Sequence, residues 1–484
     1  MKEISKEQVT QRLKSENIWW DEPFCIPSRY KEFRPRPYIK IFYPCITREN
    51  IQRAIVLMGP RRVGKTVLLH HGIQKLIDSG IPPKKICYIS VDHPLYDNLD
   101  LEAFLEAFKE VTGVDYQNEQ CFIFFDEVQY LKNWEIYLKL LVDKYKNIKC
   151  IASGSAAAAL RLRSLESGAG RFSNFLLPPL TFYEYMCLLA KENLVSVQKA
   201  ERGFVNGGLT DNIDELNKNF INYLNFGGYP EVALSDEIQK NPGQFVKSDI
   251  IDKVLLRDLP SLYGVHDIQE LNHLFTALAF NTANEISLED LSQGSGVAKN
   301  TIKRYIEYLE AAFLIKTIHR VDRTARRFKR ANFFKVYLTN PSMRTALFNV
   351  VDAEDEAMSK LVETSVFSHW FHTENILYYA RWKDGEVDIV TLDPKTQKAQ
   401  WAIEVKWSDR YFERPEELKS AIRFCHEQNL KSIMITSKTA EGLKVVKNVN
   451  LVFKPASLYC YLLGYNVIHG RSLLEGLVET KTIK

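Results

Sequence analysis

The chain has 484 residues, 45% of them hydrophobic and 12% aromatic, which is enough to bury several cores in about three domains. A formal net charge of +4 does not by itself indicate a nucleic-acid partner, so such a partner must be inferred from local clusters. The eight cysteines have no paired short spacing, which argues against a disulfide framework and a zinc ribbon. No apolar run approaches about 20 residues and no signal-peptide core is present, so we expect no membrane segment and a cytoplasmic location.

The alternation of apolar and amphipathic stretches predicts a multi-domain α/β protein. Prolines 27, 35, 37 and 44 predict an irregular N-terminal arm. Four short apolar runs follow with helical patterns between them, which is typical of a parallel sheet covered by helices. These predicted strands are Ala54–Met58, Ile86–Val91, Cys121–Phe125 and Ile148–Ala152. The predicted segments are the arm (1–50), this α/β core (51–178), a helical lid (179–265), a winged helix with a basic linker (266–350), a second α/β domain (351–465) and a tail (466–484).

A phosphate-binding loop, or Walker A motif, lies between the first predicted strand and a helical stretch. Its glycines allow backbone N–H groups to approach phosphates, Lys65 can neutralise the β and γ oxygens, and the Thr66 hydroxyl can ligate Mg²⁺. The sequence therefore predicts that ATP and Mg²⁺ bind here. The loop consists of Gly59, Pro60, Arg61, Arg62, Val63, Gly64, Lys65 and Thr66.

Two acids follow the apolar strand Cys121–Phe125. Ligands of open α/β sheets bind at the carboxyl ends of the strands, so Asp126 and Glu127 are expected beside the loop in a Walker B arrangement. Asp126 would hold Mg²⁺, and Glu127 would polarise the water that attacks the γ-phosphate. A solvated helix cap is the alternative interpretation of such a pair, and the accompanying loop argues against it.

Two further residues are candidates for catalytic roles. Ser155 follows the fourth strand, where its hydroxyl could sense the γ-phosphate or could only cap a helix. Arg171 could be an arginine finger that reaches the nucleotide of a neighbouring subunit, or it could be an ordinary surface arginine. The finger would imply a homo-oligomer.

Residues 286–313 have the pattern of a helix-turn-helix. Apolar residues of the second helix recur at i, i+3, i+4 and i+7, which leaves Lys299, Lys303 and Arg304 mostly outside. A basic stretch follows, and such clusters suit contacts with DNA phosphates. A scaffold or protein contact is the alternative. The basic residues downstream are Lys316, Arg320, Arg323, Arg326, Arg327, Lys329, Arg330 and Lys335.

A cluster of acids and a lysine is predicted in the last domain. Alternation along a strand puts Glu404 and Lys406 on one face, beside Asp388 of the adjacent hairpin strand, and Glu363 lies in the helical stretch Met358–Trp370. The three carboxylates could hold Mg²⁺ while Lys406 orients the nucleophile. This arrangement resembles the PD-(D/E)xK nuclease core, although the Pro-Asp dipeptide is absent, and many such cores are inactive binding modules.

The motifs together resemble a family of bacterial and archaeal AAA+ ATPases that carry a C-terminal domain of unknown function with a restriction-endonuclease-like core. The resemblance spans nearly the whole chain, from Gly59 through Gly170-Arg171 and Gly227-Gly228-Tyr229-Pro230 to Glu404-Val405-Lys406. It implies ATP binding and an architecture more than a named process. We therefore expect an ATPase that acts on DNA through the winged helix and a nuclease-like domain. The alternative is a signalling or protein-remodelling ATPase whose last domain only binds a partner.

Overall fold

The computed structural model describes residues 6–48, 52–96, 99, 101–155, 170–198, 207–265, 267–325 and 333–469. The chain forms two compact units, Met1–Pro178 and Pro179–Lys484. None of the helices within the described ranges combines the length and the apolar character that a membrane crossing requires.

The first unit is built on a sheet of five parallel strands. The strands are β1 (Ala54–Met58), β2 (Ile86–Ser90), β3 (Cys121–Asp126), β4 (Ile148–Gly154) and β5 (Phe172–Leu176). Their order is β2-β3-β4-β1-β5, and each neighbouring pair is parallel. The four strands predicted from apolar runs are confirmed. We did not predict β5, because this edge strand is half exposed and carries the polar Ser173 and Asn174.

Three longer helices accompany this sheet, as the amphipathic stretches predicted. The helix after β1 begins at Lys65, with the left-handed Gly64 as its N-cap. Apolar residues of each helix are buried, which is expected where helices cover a parallel sheet. The helices are Lys65–Asp78, Leu101–Thr112 and Trp134–Lys144.

The N-terminal segment is helical, so the prediction of an irregular arm was wrong. It forms the helices Lys6–Glu16, Ser28–Lys31 and Ile39–Thr47. Pro27 is the N-cap of the second helix, and Pro44 is tolerated inside the third, whose Ile39, Phe42 and Ile46 are buried. The indole N–H groups of Trp19 and Trp20 donate to the Ile86 carbonyl at 3.1 and 2.8 Å, so the segment covers the edge strand β2.

The second unit contains a mixed sheet of nine strands. Its strands run from β8 to β16 in the chain, and their order is β15-β16-β14-β13-β12-β11-β9-β10-β8. The sheet continues across the boundary predicted at residue 350, because β9 and β11 pair in parallel. A separate hairpin consists of β6 (Ser196–Gln198) and β7 (Gly207–Leu209). The nine strands are β8 (Glu285–Ser287), β9 (Ile315–Val321), β10 (Phe333–Leu338), β11 (Leu377–Trp382), β12 (Gly385–Leu392), β13 (Ala399–Glu404), β14 (Ser432–Ser437), β15 (Gly442–Val446) and β16 (Val449–Pro455).

The helices of the second unit include the predicted helix-turn-helix. Its helices are Leu288–Ser295 and Lys299–Ala311, separated by a turn at Gly296. The predicted stripe is buried at Ile302, Tyr305, Ile306, Leu309 and Ala312. The other α-helices are Phe182–Leu188, Ile213–Phe226, Pro230–Ala233, Asp236–Lys240, Leu259–Tyr263, Ile268–Phe280, Ser342–Leu347, Met358–Trp370, Arg410–Glu413, Lys419–Gln428 and Ala456–Ile468, and two π-helical stretches span Gly243–Asp252 and Val254–Asp258.

The segment predicted as a helical lid packs within the second unit. The ring of Phe182 meets Tyr461 edge-on, and the Phe182 N–H donates to His369 Nε2 at 2.8 Å. Gly228 allows a close chain approach, because a Cβ there would lie 2.5 Å from Asn340 Oδ1. The helices of residues 179–265 therefore share a core with the last helix, Ala456–Ile468.

Candidate nucleotide site and acidic cluster

The phosphate-binding loop leaves β1 at Met58 and enters the helix at Lys65. Arg62 and Gly64 have φ angles of 64° and 89°, and the loop turns sharply at these residues. A Cβ at Gly59 would lie 2.2 Å from the Leu177 carbonyl oxygen, so only glycine fits where the loop passes the end of β5. The predicted loop thus has the close backbone approach that a phosphate cradle needs.

Lys65 lies folded over this loop. Its ammonium donates to the carbonyl oxygens of Gly59 and Pro60 at 3.2 and 2.9 Å, and the residue is buried. These two acceptors are neutral carbonyls, which bind an ammonium less strongly than a phosphate does. The side chain is therefore held at the loop by contacts that a triphosphate can replace.

Asp126 is buried at the end of β3 and accepts hydrogen bonds from three hydroxyl groups. Thr66 Oγ1 and Tyr88 OH each lie 2.7 Å from Asp126 Oδ2, and Ser153 Oγ donates to Oδ1. Hydroxyl donors orient a carboxylate without neutralising its charge. The contact between Thr66 and Asp126 unites two predicted Mg²⁺ ligands, and carboxylate and hydroxyl oxygens are ligands that Mg²⁺ accepts.

Glu127 follows Asp126 with a left-handed backbone, at a φ of 59°. Its carboxylate accepts from the Gln129 side-chain amide, and its N–H donates to Ser153 Oγ at 3.3 Å. Burial raises the pKa of Glu127, and the nearby Lys65 charge opposes that rise. A carboxylate with a raised pKa is a better proton acceptor for a catalytic water, as general-base catalysis requires.

The two serines after β4 differ in their contacts. Ser153, which we did not single out, donates to the Asp126 carboxylate and accepts from the Glu127 backbone N–H. Its position at the end of β4 was the available signal. The N–H of Ser155 donates to Gln129 Oε1 at 3.1 Å, whereas its buried hydroxyl has no hydrogen-bond partner among the residues that the structure describes. The sensor role of Ser155 stays a prediction.

Arg171 lies just before β5, at the amino edge of the sheet, whereas the loop follows the carboxyl end of β1. Its Nε donates to Asp143 Oδ1 at 3.0 Å, and both side chains are about half exposed. Arg171 is therefore remote from the phosphate loop of its own chain. Its role as a finger in a neighbouring subunit stays a prediction.

The N-terminal segment contributes residues that sequence reasoning missed. Arg36 is buried and donates to the carbonyl oxygens of Val63 and Pro178 at 2.7 and 3.1 Å, so it ties the loop to the segment after β5. Tyr30 of the same segment lies against His70 of the helix Lys65–Asp78, with ring centroids 3.9 Å apart, and burial lowers the pKa of His70 to about 4. No motif marks either residue, because their partners come from distant parts of the chain.

In the second unit, four predicted residues converge in one acidic cluster. Asp388 Oδ2 accepts from the Val405 N–H at 2.8 Å and lies 3.8 Å from Lys406 Nζ, which contacts Glu404 Oε1 at 2.6 Å. Glu363, in the helix Met358–Trp370, is the fourth residue of the cluster. The predicted adjacency is explained by the pairing of β12 with β13, in which Ile389 lies opposite Ile403.

A second lysine, Lys335, lies inside this cluster. Its ammonium contacts Glu363 Oε1 at 2.9 Å, Glu386 Oε1 at 2.5 Å and Asp388 Oδ1 at 3.6 Å. The prediction that Lys335 contacts DNA phosphates was wrong, because the residue is 3% exposed on β10, which lies between β9 and the edge strand β8.

Burial dominates the electrostatics of the cluster. It raises the pKa of Glu404 to about 7, assisted by the charge of Asp388, and it also raises the pKa of Glu363. Burial opposes the charged form of Lys406, but Glu404 and Asp388 outweigh it and raise the pKa of that ammonium. Glu404 Oε2 is buried and has no hydrogen-bond partner in the described part of the chain. Among the described residues, no group of three His, Cys, Asp or Glu side chains is arranged to hold a metal ion.

The other basic residues have varied surroundings. Lys303 and Arg304 are exposed on the second helix of the helix-turn-helix, while Lys299 pairs with Glu289. Arg320 and Arg323 pair with acids of the same unit. Arg326, Arg327, Lys329 and Arg330 lie outside the described residues.

The five-stranded parallel sheet, the loop after β1 and the acids after β3 define a P-loop domain of the AAA kind. In agreement, residues 51–186 match the family described as AAA domain. Residues 217–354 match a domain of unknown function, DUF8612, which spans parts of the predicted lid and winged helix.

Similar proteins occur in archaea and bacteria. An uncharacterized protein of Methanocaldococcus jannaschii is 25% identical over 77% of this chain and 80% of its own length. An uncharacterized protein of Haemophilus influenzae is 25% identical over 83% of this chain and 95% of its own.

Two solved structures match the chain with low TM-scores. Hsp104 of S. cerevisiae, in a complex with casein, matches with 16% identity and a TM-score of 0.28. This match covers 63% of the chain and 52% of Hsp104, so the chain spans about half the length of that protein. Cdc6p from Pyrobaculum aerophilum matches with 12% identity and a TM-score of 0.27, over 68% of this chain and 97% of its own. TM-scores this low do not establish a shared fold.

Proposed function

We propose that the protein binds and hydrolyses ATP in its first unit and uses this cycle to control an action on DNA by its second unit. The observation that supports the ATPase most is the 2.7 Å contact between Thr66 Oγ1 and Asp126 Oδ2 at the phosphate-binding loop. It brings a Walker A hydroxyl and a Walker B carboxylate to one point, as nucleotide-bound Mg²⁺ requires.

Each residue of the site has a defined task in this proposal. The loop N–H groups and Lys65 bind the β and γ phosphates, and Thr66 and Asp126 would hold Mg²⁺, which neutralises phosphate charge when bound. Glu127 accepts the proton of the attacking water, and Gln129 and Ser153 hold that acid in place. The buried surroundings of Asp126 and Glu127 strengthen these charge interactions.

Phosphate release by Glu127→Gln tests the proposed hydrolysis. We expect the rate to fall by about 100-fold or more with ATP affinity retained, because the amide cannot accept the proton. Glu102→Gln, which changes an exposed acid in a helix of the same unit, is the matched control. Equal rates in wild type and Glu127→Gln would instead indicate a nucleotide-gated scaffold.

The proposal of DNA contact is supported by the helix-turn-helix and the strands around it. The helices Leu288–Ser295 and Lys299–Ala311 are followed by β9 and β10, and β10 pairs with β8 as well as β9. This order resembles a winged helix, with Lys303 and Arg304 exposed on the second helix.

A retardation assay at low salt tests this contact. The double variant Lys303→Ala/Arg304→Ala should weaken binding to duplex DNA by about tenfold and reduce its salt dependence. Lys395→Ala/Lys398→Ala, which removes two exposed lysines from a loop of the same unit, should bind as wild type does.

A second candidate function, a Mg²⁺-dependent nuclease, is supported by the order of elements around the acidic cluster. The helix with Glu363 is followed by antiparallel β11, β12 and β13, and β14 then pairs with β13 in parallel after the helix Lys419–Gln428. Asp388 and Glu404 are buried carboxylates of the ligand type that Mg²⁺ prefers, but among the described residues no three such side chains are arranged to hold a metal ion. Lys406, which contacts both acids, would orient the attacking water in this candidate function.

Plasmid nicking with Mg²⁺, with and without ATP, tests the nuclease. Nicking by wild type that is lost in Lys406→Ala supports it. If neither protein nicks DNA and neither binds it at low salt, the alternative is favoured, namely a signalling or protein-remodelling ATPase with an inactive C-terminal binding module.

A further inference from the structure

Arg36 holds one particular peptide group of the phosphate-binding loop. Its Nη1 donates to the Val63 carbonyl oxygen at 2.7 Å, and its Nη2 donates to the Pro178 carbonyl oxygen at 3.1 Å. Arg36 is 5% exposed, so these charged donors are shielded from bulk water, where hydrogen bonds of this kind are strong. The carbonyl of Val63 is therefore fixed by a residue from outside the loop.

The same peptide group carries the N–H of Gly64. The Val63–Gly64 bond is trans, so this N–H points away from the Val63 oxygen and from the guanidinium that holds it. Gly64 is the N-cap of the helix Lys65–Asp78, and no acceptor among the residues that the structure describes takes its N–H. A free N–H at the start of a helix is a donor that a phosphate can use.

A cation at the carbonyl oxygen strengthens the donor at the other end of the peptide. Arg36 draws electron density toward the Val63 oxygen, which makes the Gly64 N–H more positive, because hydrogen-bonded groups in a chain polarise one another. The preceding residue, Arg62, has a φ of 64°, a conformation that residues other than glycine rarely adopt, so contacts from outside the loop must hold it. Arg36 thus supplies both orientation and polarisation.

We propose that Arg36 is a positioning residue for nucleotide binding, which presents the Gly64 N–H to the phosphates. It acts through the Val63–Gly64 peptide rather than by contact with the ligand, and this inference rests on the proposed ATP site. The proposed catalytic residues Asp126 and Glu127 lie at the end of β3, away from this peptide in the chain. Loss of Arg36 should therefore weaken nucleotide binding and leave the chemical step nearly unchanged.

Calorimetry with ATP and, separately, with ADP tests the proposal in the full chain. Arg36→Met should weaken the binding of both by the same factor, about tenfold, because one charge-assisted contact to the loop is lost and both nucleotides bring phosphates to it. The kcat for ATP should stay within about threefold of the wild-type value. Trp20→Phe is the matched control, since it removes another buried donor of the N-terminal segment, the indole N–H bonded to Ile86, and should leave both affinities unchanged.

A rescue experiment separates positioning of the peptide from support of the fold. Guanidinium ion added at millimolar concentration to Arg36→Ala should restore part of the lost ATP affinity, because the ion can donate to the two carbonyl oxygens in place of the side chain. It should not change ATP binding by Trp20→Phe. If Arg36→Met or Arg36→Ala fails to fold by circular dichroism, Arg36→Lys carries the expectation of weakened binding, since an ammonium lacks the planar fork that bridges two oxygens.

The outcomes separate this inference from the ATP site itself. If wild type binds no nucleotide, the proposed site and the role of Arg36 both fail. If wild type binds ATP and the folded Arg36 variants bind it equally, the site stands and the role of Arg36 is refuted. A loss that Trp20→Phe shares, or that guanidinium does not reverse, would also refute this role, because it would reflect the fold of the N-terminal segment rather than the Val63–Gly64 peptide.

Discussion

The two sites hold their buried acids in opposite ways. Asp126 in the first unit is bonded by the hydroxyl groups of Thr66, Tyr88 and Ser153, whereas Asp388 in the second lies between the ammonium groups of Lys335 and Lys406. Hydroxyl donors leave a carboxylate its full charge, and ammonium donors cancel it. The charge of Asp126 can therefore attract a cation that arrives with a nucleotide, whereas the charge of Asp388 is already balanced by the lysines of the protein itself.

The largest expected effect concerns the acid of the nucleotide site. Asp126→Asn should lower kcat for ATP by about 1000-fold, because it removes both the proposed metal ligand and the negative charge at the proposed phosphate site. Steady-state phosphate release measures it. Asp388→Asn should leave the rate within about twofold if the two acids serve separate sites. A comparable loss in both variants would contradict the contrast between them.

The second prediction concerns stability. Asp388→Asn should lower the free energy of unfolding by about 3 kcal/mol, since it leaves Lys335 and Lys406 short of a buried counter-charge. Urea denaturation followed by fluorescence measures the change. Asp384→Asn, at an exposed acid that pairs with Arg423, should change it by less than about 0.5 kcal/mol. Equal changes in Asp388→Asn and Asp384→Asn would show that the buried ion pairs do not stabilise the fold more than an exposed pair does.

The third prediction follows from the pKa of Glu404, which burial raises to about 7. Between the ordinary pKa near 4.5 and this value, the folded state binds more protons than the unfolded one, so stability falls as pH rises through that window. Glu404→Gln removes this loss. Relative to wild type, the variant should therefore gain about 2 kcal/mol in unfolding free energy between pH 5 and pH 8. A difference that does not change with pH would be inconsistent with a raised pKa.

The smallest effect is expected at Arg171. Its ion pair with Asp143 is half exposed, so Arg171→Ala should change the unfolding free energy by less than about 1 kcal/mol. If Arg171 acts on a neighbouring subunit, mixing the inactive variants Arg171→Ala and Glu127→Gln should restore part of the hydrolysis. No recovery in an assembly of confirmed mixed composition would exclude that role.

Much of the first unit could be predicted from the sequence because its signals are local. The loop from Gly59 to Thr66 and the apolar strand before Asp126 each lie within a few residues. The edge strand β5 could not be predicted, since it is half exposed and has no strict alternation. Arg36 and Tyr88 were missed because their importance depends on partners brought together only by the fold.

In the second unit, the proximity of Glu404, Lys406 and Asp388 could be predicted from the sequence, but the buried lysine that partly neutralises the acids could not. Glu404 and Lys406 are two residues apart, so their proximity follows from the chain itself, and Asp388 follows from a hairpin. Lys335 belongs to a strand more than twenty residues from Glu363, and its basic neighbours suggested a surface role. Only the folded structure shows that this lysine is buried among acids.

Calorimetry of ATP binding with Mg²⁺ tests the central claim most directly. The account predicts one site per chain in wild type, an affinity reduced by about 100-fold or more in Lys65→Ala, and no change in Lys75→Ala, a control from the same helix. Nucleotide binding that is indifferent to Lys65, or no binding at all in a folded wild-type chain, would contradict it.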